Sequence, residues 1–154
     1  MIKKLKIATK KNLFFKKATL FIRGPLGTNY IQDIKYLRKK PFLCLSLLKN
    51  TFHGVFFGYV CRLKLVGLGF RVETFSPNFF TLKLGLSYTV KIGIPKGISV
   101  SFPKKGFILI SSFDFSRLKS FVAFLRNKKT PDAYKGKGIL FKNEIFKLKE
   151  GKKN

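Results

Sequence analysis

The stretch "DFSRLKSFVAFLR", residues 114–126, decides the fold class. Phe115, Leu118, Phe121, Val122 and Leu125 recur in it at the helical period, which gathers them on one face of a helix. Ser112 or Asp114 is placed to cap the start, and Arg126, Lys128 and Lys129 suit the negative end of the helix dipole. Pro131 stops any continuation. Upstream, from 59 to 111, the period is two. In "YVCRLKLV" (59–66) Tyr59, Cys61, Leu63 and Leu65 fall on one side and Arg62 and Lys64 on the other, as a half-buried strand requires. "FRVETF" and "FFTLKLGL" flank the turn residues Ser76, Pro77 and Asn78 and read as a hairpin. "YTVKIGIP" and "ISVSF" follow, and a tight basic turn at Lys104–Gly106 leads into "FILIS". These five or six short, closely connected strands predict an antiparallel sheet over 59–126, with one helix near 114–126 covering its apolar face. The fold class is α+β.

The first 58 residues repeat that plan in reduced form. "ATLFIRGPLGTNYIQDI" offers two strands around a Gly-Pro-x-Gly turn, and "CLSLLKNTFHGVFFG" offers a helix with Leu45, Leu48, Phe52 and Val55 on one face. The pattern predicts two tandem small domains, 1–58 and 59–154, each an antiparallel sheet packed with one helix, the first one reduced. A lone core of about 60 residues or fewer is marginal. The first half, which also carries 13 basic residues and one acidic one, is therefore expected to lean on a partner. The last run, "LFKNEIFKLKEGKKN", alternates Phe141, Ile145, Phe146 and Leu148 with lysines and reads as a strand or an extended basic arm.

Composition narrows the function. With 45% hydrophobic residues the chain can fill a core, yet 33 Lys+Arg against 6 Asp+Glu leave a formal charge of +27. A compact body so charged repels itself unless a polyanion neutralises it. One histidine, His53, and six scattered carboxylates supply little for acid/base or metal chemistry, so an enzyme, a cofactor and a small-molecule substrate are not expected. Cys44 and Cys61, with no C-x-x-C spacing, are expected to be buried free thiols. The basic N-terminus lacks the apolar block and cleavage site of a secretory signal and is expected to stay in the mature protein. The most apolar window, 43–60, is interrupted by Lys49, Asn50 and His53, so no membrane span is expected. His53 is read as a packing or surface residue, and Gly67 and Gly69 as a bulge or bend.

One segment invites a ligand reading. "PDAYKGKGI" (131–139) sets Gly136 and Gly138 around Lys137, with Tyr134 and Lys135 just upstream. It is not a nucleotide-binding P-loop, because Lys137 is followed by Gly138 and Ile139 rather than by Ser or Thr. Its physical logic is that of a phosphate-hugging clasp: glycines admit close approach, lysines neutralise phosphates, and tyrosine packs on a sugar or base. A turn on a solvated basic face would look similar.

The same residues resemble a known family. Pro131, Asp132, Tyr134, Lys135, Gly136, Lys137, Gly138 and Ile139 match position by position the signature of large-subunit ribosomal protein six. The likeness extends through "LKLVGLGFRV", "LKLGLSYTVKIGIPKGISV" and "FKNEIFKLKEGKKN", covering residues 44–154, with "LFIRGPLGTNY" similar to the family's first domain. The resemblance implies a structural, non-enzymatic constituent of the large ribosomal subunit. It implies two tandem domains bound to large-subunit rRNA near the sarcin-ricin loop and the stalk base, beside neighbouring ribosomal proteins. Arg126, Lys128, Lys129, Tyr134, Lys135, Gly136, Lys137, Gly138, Lys142, Lys147, Lys149, Lys152 and Lys153 are then the expected rRNA-binding residues, with Phe141 and Phe146 as candidate stackers. The competing reading is a basic protein on an anionic membrane surface. That reading asks for an amphipathic helix ringed by lysines, whereas the Phe-rich segments alternate like strands. Lysine is used 27 times against six arginines, alongside 19 Phe, the bias of an A+T-rich genome. With the shortened first half, this points to an organelle-encoded, mitochondrial member.

Overall fold

The computed structural model describes residues 13–16, 19–31, 41–145 and 147–151. Among the described residues there are ten strands and two helices in an α+β arrangement: β1 (Leu13–Lys16), β2 (Thr19–Gly24), β3 (Gly27–Ile31), α1 (Pro41–Phe57), β4 (Tyr59–Val66), β5 (Arg71–Phe75), β6 (Phe79–Lys83), β7 (Val90–Gly93), β8 (Ile98–Ser101), β9 (Phe107–Ser112), α2 (Phe115–Lys128) and β10 (Gly138–Phe141). Contacts gather them into two units. One holds the described residues up to Tyr59 together with Ser112–Phe115, and the other holds Val60–Ser111 and the described residues from Ser116 onward.

In the first unit, β1, β2 and β3 form an antiparallel sheet. The hairpin closes with Gly24 opposite Gly27, so Pro25 and Leu26 are its turn residues, and proline's fixed φ suits the first of those positions. The Leu26 amide donates to the Val55 carbonyl at 3.2 Å, tying the turn to α1. Val55 is fully buried as its spacing predicts, with Leu48 and Phe52 half-buried beside it. Strand β1 has no counterpart in the sequence reading, and α1 begins at Pro41, ahead of the expected start. The Leu45 and Cys44 side chains lie outside the described residues. At the far end of the helix His53 is exposed, its ring 5.3 Å from Phe57 and 5.0 Å from Tyr59, as a surface packing residue would be.

The second unit corrects the expectation of one sheet. Its strands divide into a four-stranded sheet ordered β10-β4-β9-β8 and a three-stranded antiparallel sheet ordered β5-β6-β7. Gly67 and Gly69 fall in the turn that leaves β4, where the Phe70 amide donates to the Gly67 carbonyl at 3.3 Å. That turn ends β4 before β5 begins. The hairpin around Ser76–Asn78 and the turn at Lys104–Gly106 form as their residues predict, the latter closed by the Phe107 amide on the Lys104 carbonyl at 3.1 Å.

Helix α2 buries Leu118, Phe121, Val122 and Leu125, and each such side chain contributes about 2–3 kcal/mol of apolar burial. Phe115, expected on that face, is instead exposed and packs its ring 5.1 Å from Tyr59. It sits at the first residue of the helix, before the repeating face has begun. Leu63 and Leu65 of β4, Ile98 and Val100 of β8, Ile108 and Ile110 of β9 and Ile139 of β10 supply the buried positions of the four-stranded sheet. Phe80, Leu82, Val90 and Ile92 supply those of the other.

Candidate nucleic-acid interface

The segment 131–139 is built around one helical turn. Asp132 caps it: its Oδ1 accepts from the Tyr134 amide at 3.3 Å and its Oδ2 from the Lys135 amide at 3.2 Å. The Gly136 amide closes the turn on the Asp132 carbonyl at 2.9 Å, and Gly136 takes φ +65°, the left-handed conformation that ends helices and favours glycine. The Asp132 amide in turn donates to the Lys137 carbonyl at 3.0 Å, so the loop is drawn shut at its base. Tyr134, Lys135 and Lys137 are left on the outside, with Tyr134 58% exposed.

Gly138 does something other than the sequence reading expects of it. It is buried, and a Cβ placed on it would lie 2.7 Å from Pro131 Cα and 2.8 Å from the Thr130 carbonyl oxygen. The close approach it permits is to the chain's own backbone where α2 gives way to the loop. There the Ile139 amide also donates to the Lys129 carbonyl at 3.0 Å. From Gly138 the chain runs directly into β10, which pairs antiparallel with β4, Gly138 opposite Val66 and Phe141 opposite Leu63. The loop thus hangs from α2 on one side and a sheet edge on the other.

The C-terminal segment crosses this loop. The Lys149 amide donates to the Ala133 carbonyl at 2.9 Å, and the Leu148 Cδ2 lies 3.2 Å from where a Gly136 Cβ would be. These contacts bring the exposed Lys147 and Lys149 to the loop that carries Lys135 and Lys137. Residues 142–145 and 147–151 form no strand, so the expected arm is a short strand, Gly138–Phe141, followed by irregular chain held on the loop.

Arg126 is spent inside the unit. Its Nη2 donates to Glu144 Oε1 at 2.5 Å, with both side chains largely covered, and its guanidinium sits 5.4 Å from the Phe141 ring centroid. The Lys119 ammonium is 6.0 Å from the same ring, so Phe141 already has cationic neighbours. Lys128 is exposed with its ammonium 4.3 Å from the Phe124 ring centroid; Lys129 is half-buried and Lys142 exposed. Phe146, Lys152 and Lys153 lie outside the described residues.

Sequence reasoning missed Asp132, Glu144 and Leu148 as builders of this surface. A signal for the first was present: an aspartate three residues before Lys135 and a glycine directly after it are the marks of a capped turn. Cys61 is free and half-buried, and burial pushes its thiol above the usual range, with the nearby Lys119 ammonium acting in the opposite direction. Among the described residues no three His, Cys, Asp or Glu side chains gather as a metal site, and no helix is long and apolar enough to cross a membrane.

No family model matches the chain. Individual proteins do. The large ribosomal subunit protein uL6 of Pseudothermotoga lettingae is 35% identical over 119 residues, 77% of this chain and 64% of that protein. The uL6 protein of Chlamydia muridarum is 37% identical over 107 residues, 70% of this chain and 58% of that protein. The chain therefore spans less than two thirds of the length of these two relatives. The uL6 protein of Chlorobium luteolum is 35% identical over 129 residues, 84% of this chain and 72% of that protein. With identity at that level running through more than two thirds of a full relative, the chain belongs to the family of large ribosomal subunit protein uL6.

Proposed function

We propose that this chain is a structural constituent of the large ribosomal subunit that holds large-subunit rRNA through its basic residues between 126 and 153, near the sarcin-ricin loop and the stalk base. The observation that carries the reading is the loop of the family signature, which turns Tyr134, Lys135 and Lys137 outward while the C-terminal segment delivers Lys147 and Lys149 to it. Lysine ammonium groups neutralise phosphates and release counterions, and an exposed tyrosine offers a ring to an unstacked base. Lys128, Lys129, Lys142, Lys152 and Lys153 extend the same basic run along the chain. Arg126 serves it from behind, by holding Glu144. The division near residues 58 and 59 is read as the border of two tandem domains, the first leaning on neighbouring ribosomal proteins. Lysine use of an A+T-rich kind supports a mitochondrial ribosome as its location.

The test is co-sedimentation. A tagged chain in detergent-treated mitochondrial extract is expected to travel with the large subunit on a sucrose gradient and to leave it after ribonuclease treatment. Migration with the membrane fraction, or at the top of the gradient before any nuclease is added, would overturn the reading.

A further inference from the structure

A surface that binds phosphates has no evident use for carboxylates, yet three of the six acidic residues of this chain, Asp132, Glu144 and Glu150, lie between 126 and 153. For two of them the geometry resolves the conflict. Both oxygens of Asp132 are taken by the backbone amides of Tyr134 and Lys135, and both oxygens of Glu144 are taken by the Arg126 guanidinium and the Phe141 amide, the latter at 3.1 Å. Each carboxylate is engaged by the scaffold that carries the lysines, Glu144 half-buried and Asp132 on the exposed turn itself.

We propose that Asp132 is a positioning residue for RNA binding, setting the shape in which Tyr134, Lys135 and Lys137 meet the ligand; this rests on the functional reading above. Ala133, Tyr134 and Lys135 form a turn too short to hold itself, because nucleating a helical turn fixes several dihedrals for one hydrogen bond. Asp132 supplies what the turn lacks. Its side chain satisfies two otherwise orphaned amides at the start, its carbonyl accepts the closing bond from Gly136, and its own amide locks the base of the loop through Lys137. Without the cap, Lys135 and Lys137 keep their charge but lose their fixed placement, so ordering them is left to the binding step. The carboxylate acts by accepting hydrogen bonds rather than by its charge, and asparagine, with a single acceptor oxygen, can keep one of the two bonds.

The experiment compares Asp132→Ala, Asp132→Asn and the parent, each as the full chain. Binding is measured against in vitro transcribed large-subunit rRNA and an unrelated RNA duplex across a salt series, and amide exchange is measured on the free proteins. In Asp132→Ala the affinity for the rRNA is expected to fall about fivefold, the loss of one helix cap. Its salt slope should be unchanged, and exchange at Tyr134, Lys135 and Gly136 should be faster while β4 and β10 stay protected. Asp132→Asn, which keeps one acceptor oxygen, should lie between the parent and Asp132→Ala in both affinity and loop exchange. If Asp132→Ala and Asp132→Asn both bind more tightly than the parent, the carboxylate is only a repelling charge and the proposal fails. It fails equally if both bind as the parent does, or if exchange in the loop does not respond. Should the parent itself not distinguish the rRNA from the duplex, the functional reading falls and this inference with it.

Discussion

Gly138 and Lys137 are neighbours with separable roles. A valine at 138 would force its Cβ against Pro131 and the Thr130 carbonyl, so Gly138→Val should cost about 1–3 kcal/mol of stability, read as a lowered unfolding midpoint in urea. Any effect on the proposed RNA binding would follow from the damaged fold. Lys137→Ala removes one exposed ammonium and should leave the midpoint in place, while the salt dependence of RNA binding loses about 0.7–0.9 of a unit of slope. A midpoint that falls for Lys137→Ala, or stays put for Gly138→Val, would reverse the two assignments. Cys61 offers a separate check. Burial raises its thiol above the ordinary range, so less thiolate is present at any given pH. Residue-resolved alkylation of the native protein should be slower at Cys61 than in a denatured control near pH 8. The gap should narrow as pH rises.

Helix α2 carries two kinds of aromatic that the sequence period does not distinguish. Phe121 faces the core and Phe115 lies outside it, although both fit the same repeat. Phe121→Ala should therefore cost about 3–5 kcal/mol, and Phe115→Ala clearly less, when unfolding is followed by circular dichroism in denaturant. Equal losses would mean that Phe115 is packed as deeply as Phe121. The helical period was legible because five apolar residues share it. The exclusion of Phe115 was not legible, because it follows from where the helix starts. The same reasoning applies to the strands. Alternation located β4 to β9 closely, but alternation does not say which strand pairs with which, and the pairing of β10 with β4 joins residues some seventy positions apart. Only that pairing places the loop of 131–137 at a sheet edge.

Charge and core size govern the behaviour of the entire chain. Among the described residues of the first unit, the fully buried apolar side chains are Ile22 and Val55, whereas the second unit has a core drawn from both of its sheets and α2. With a formal charge of +27 to neutralise, the free protein should be least stable at low salt. Hydrogen exchange on the isolated chain should show β2 and β3 exchanging well before β4 and β9, and added polyanion should slow both. Uniform protection across the two units at low salt would contradict this.

The residues alone determined the α+β class, the position of both described helices, most of the described strands and the strong net positive charge. Each of these depends on local period or on a sum over residues, and neither requires knowing what lies across the fold. The engagement of the Asp132 and Glu144 carboxylates, the burial of Gly138 and the withdrawal of Arg126 came from the folded chain. They depend on contacts between segments distant in sequence, or on the direction a side chain takes once its neighbours are in place. In the sequence an acid beside lysines reads only as reduced positive charge. In three dimensions its oxygens are hydrogen-bond acceptors with fixed donors, and the loop takes its shape from them.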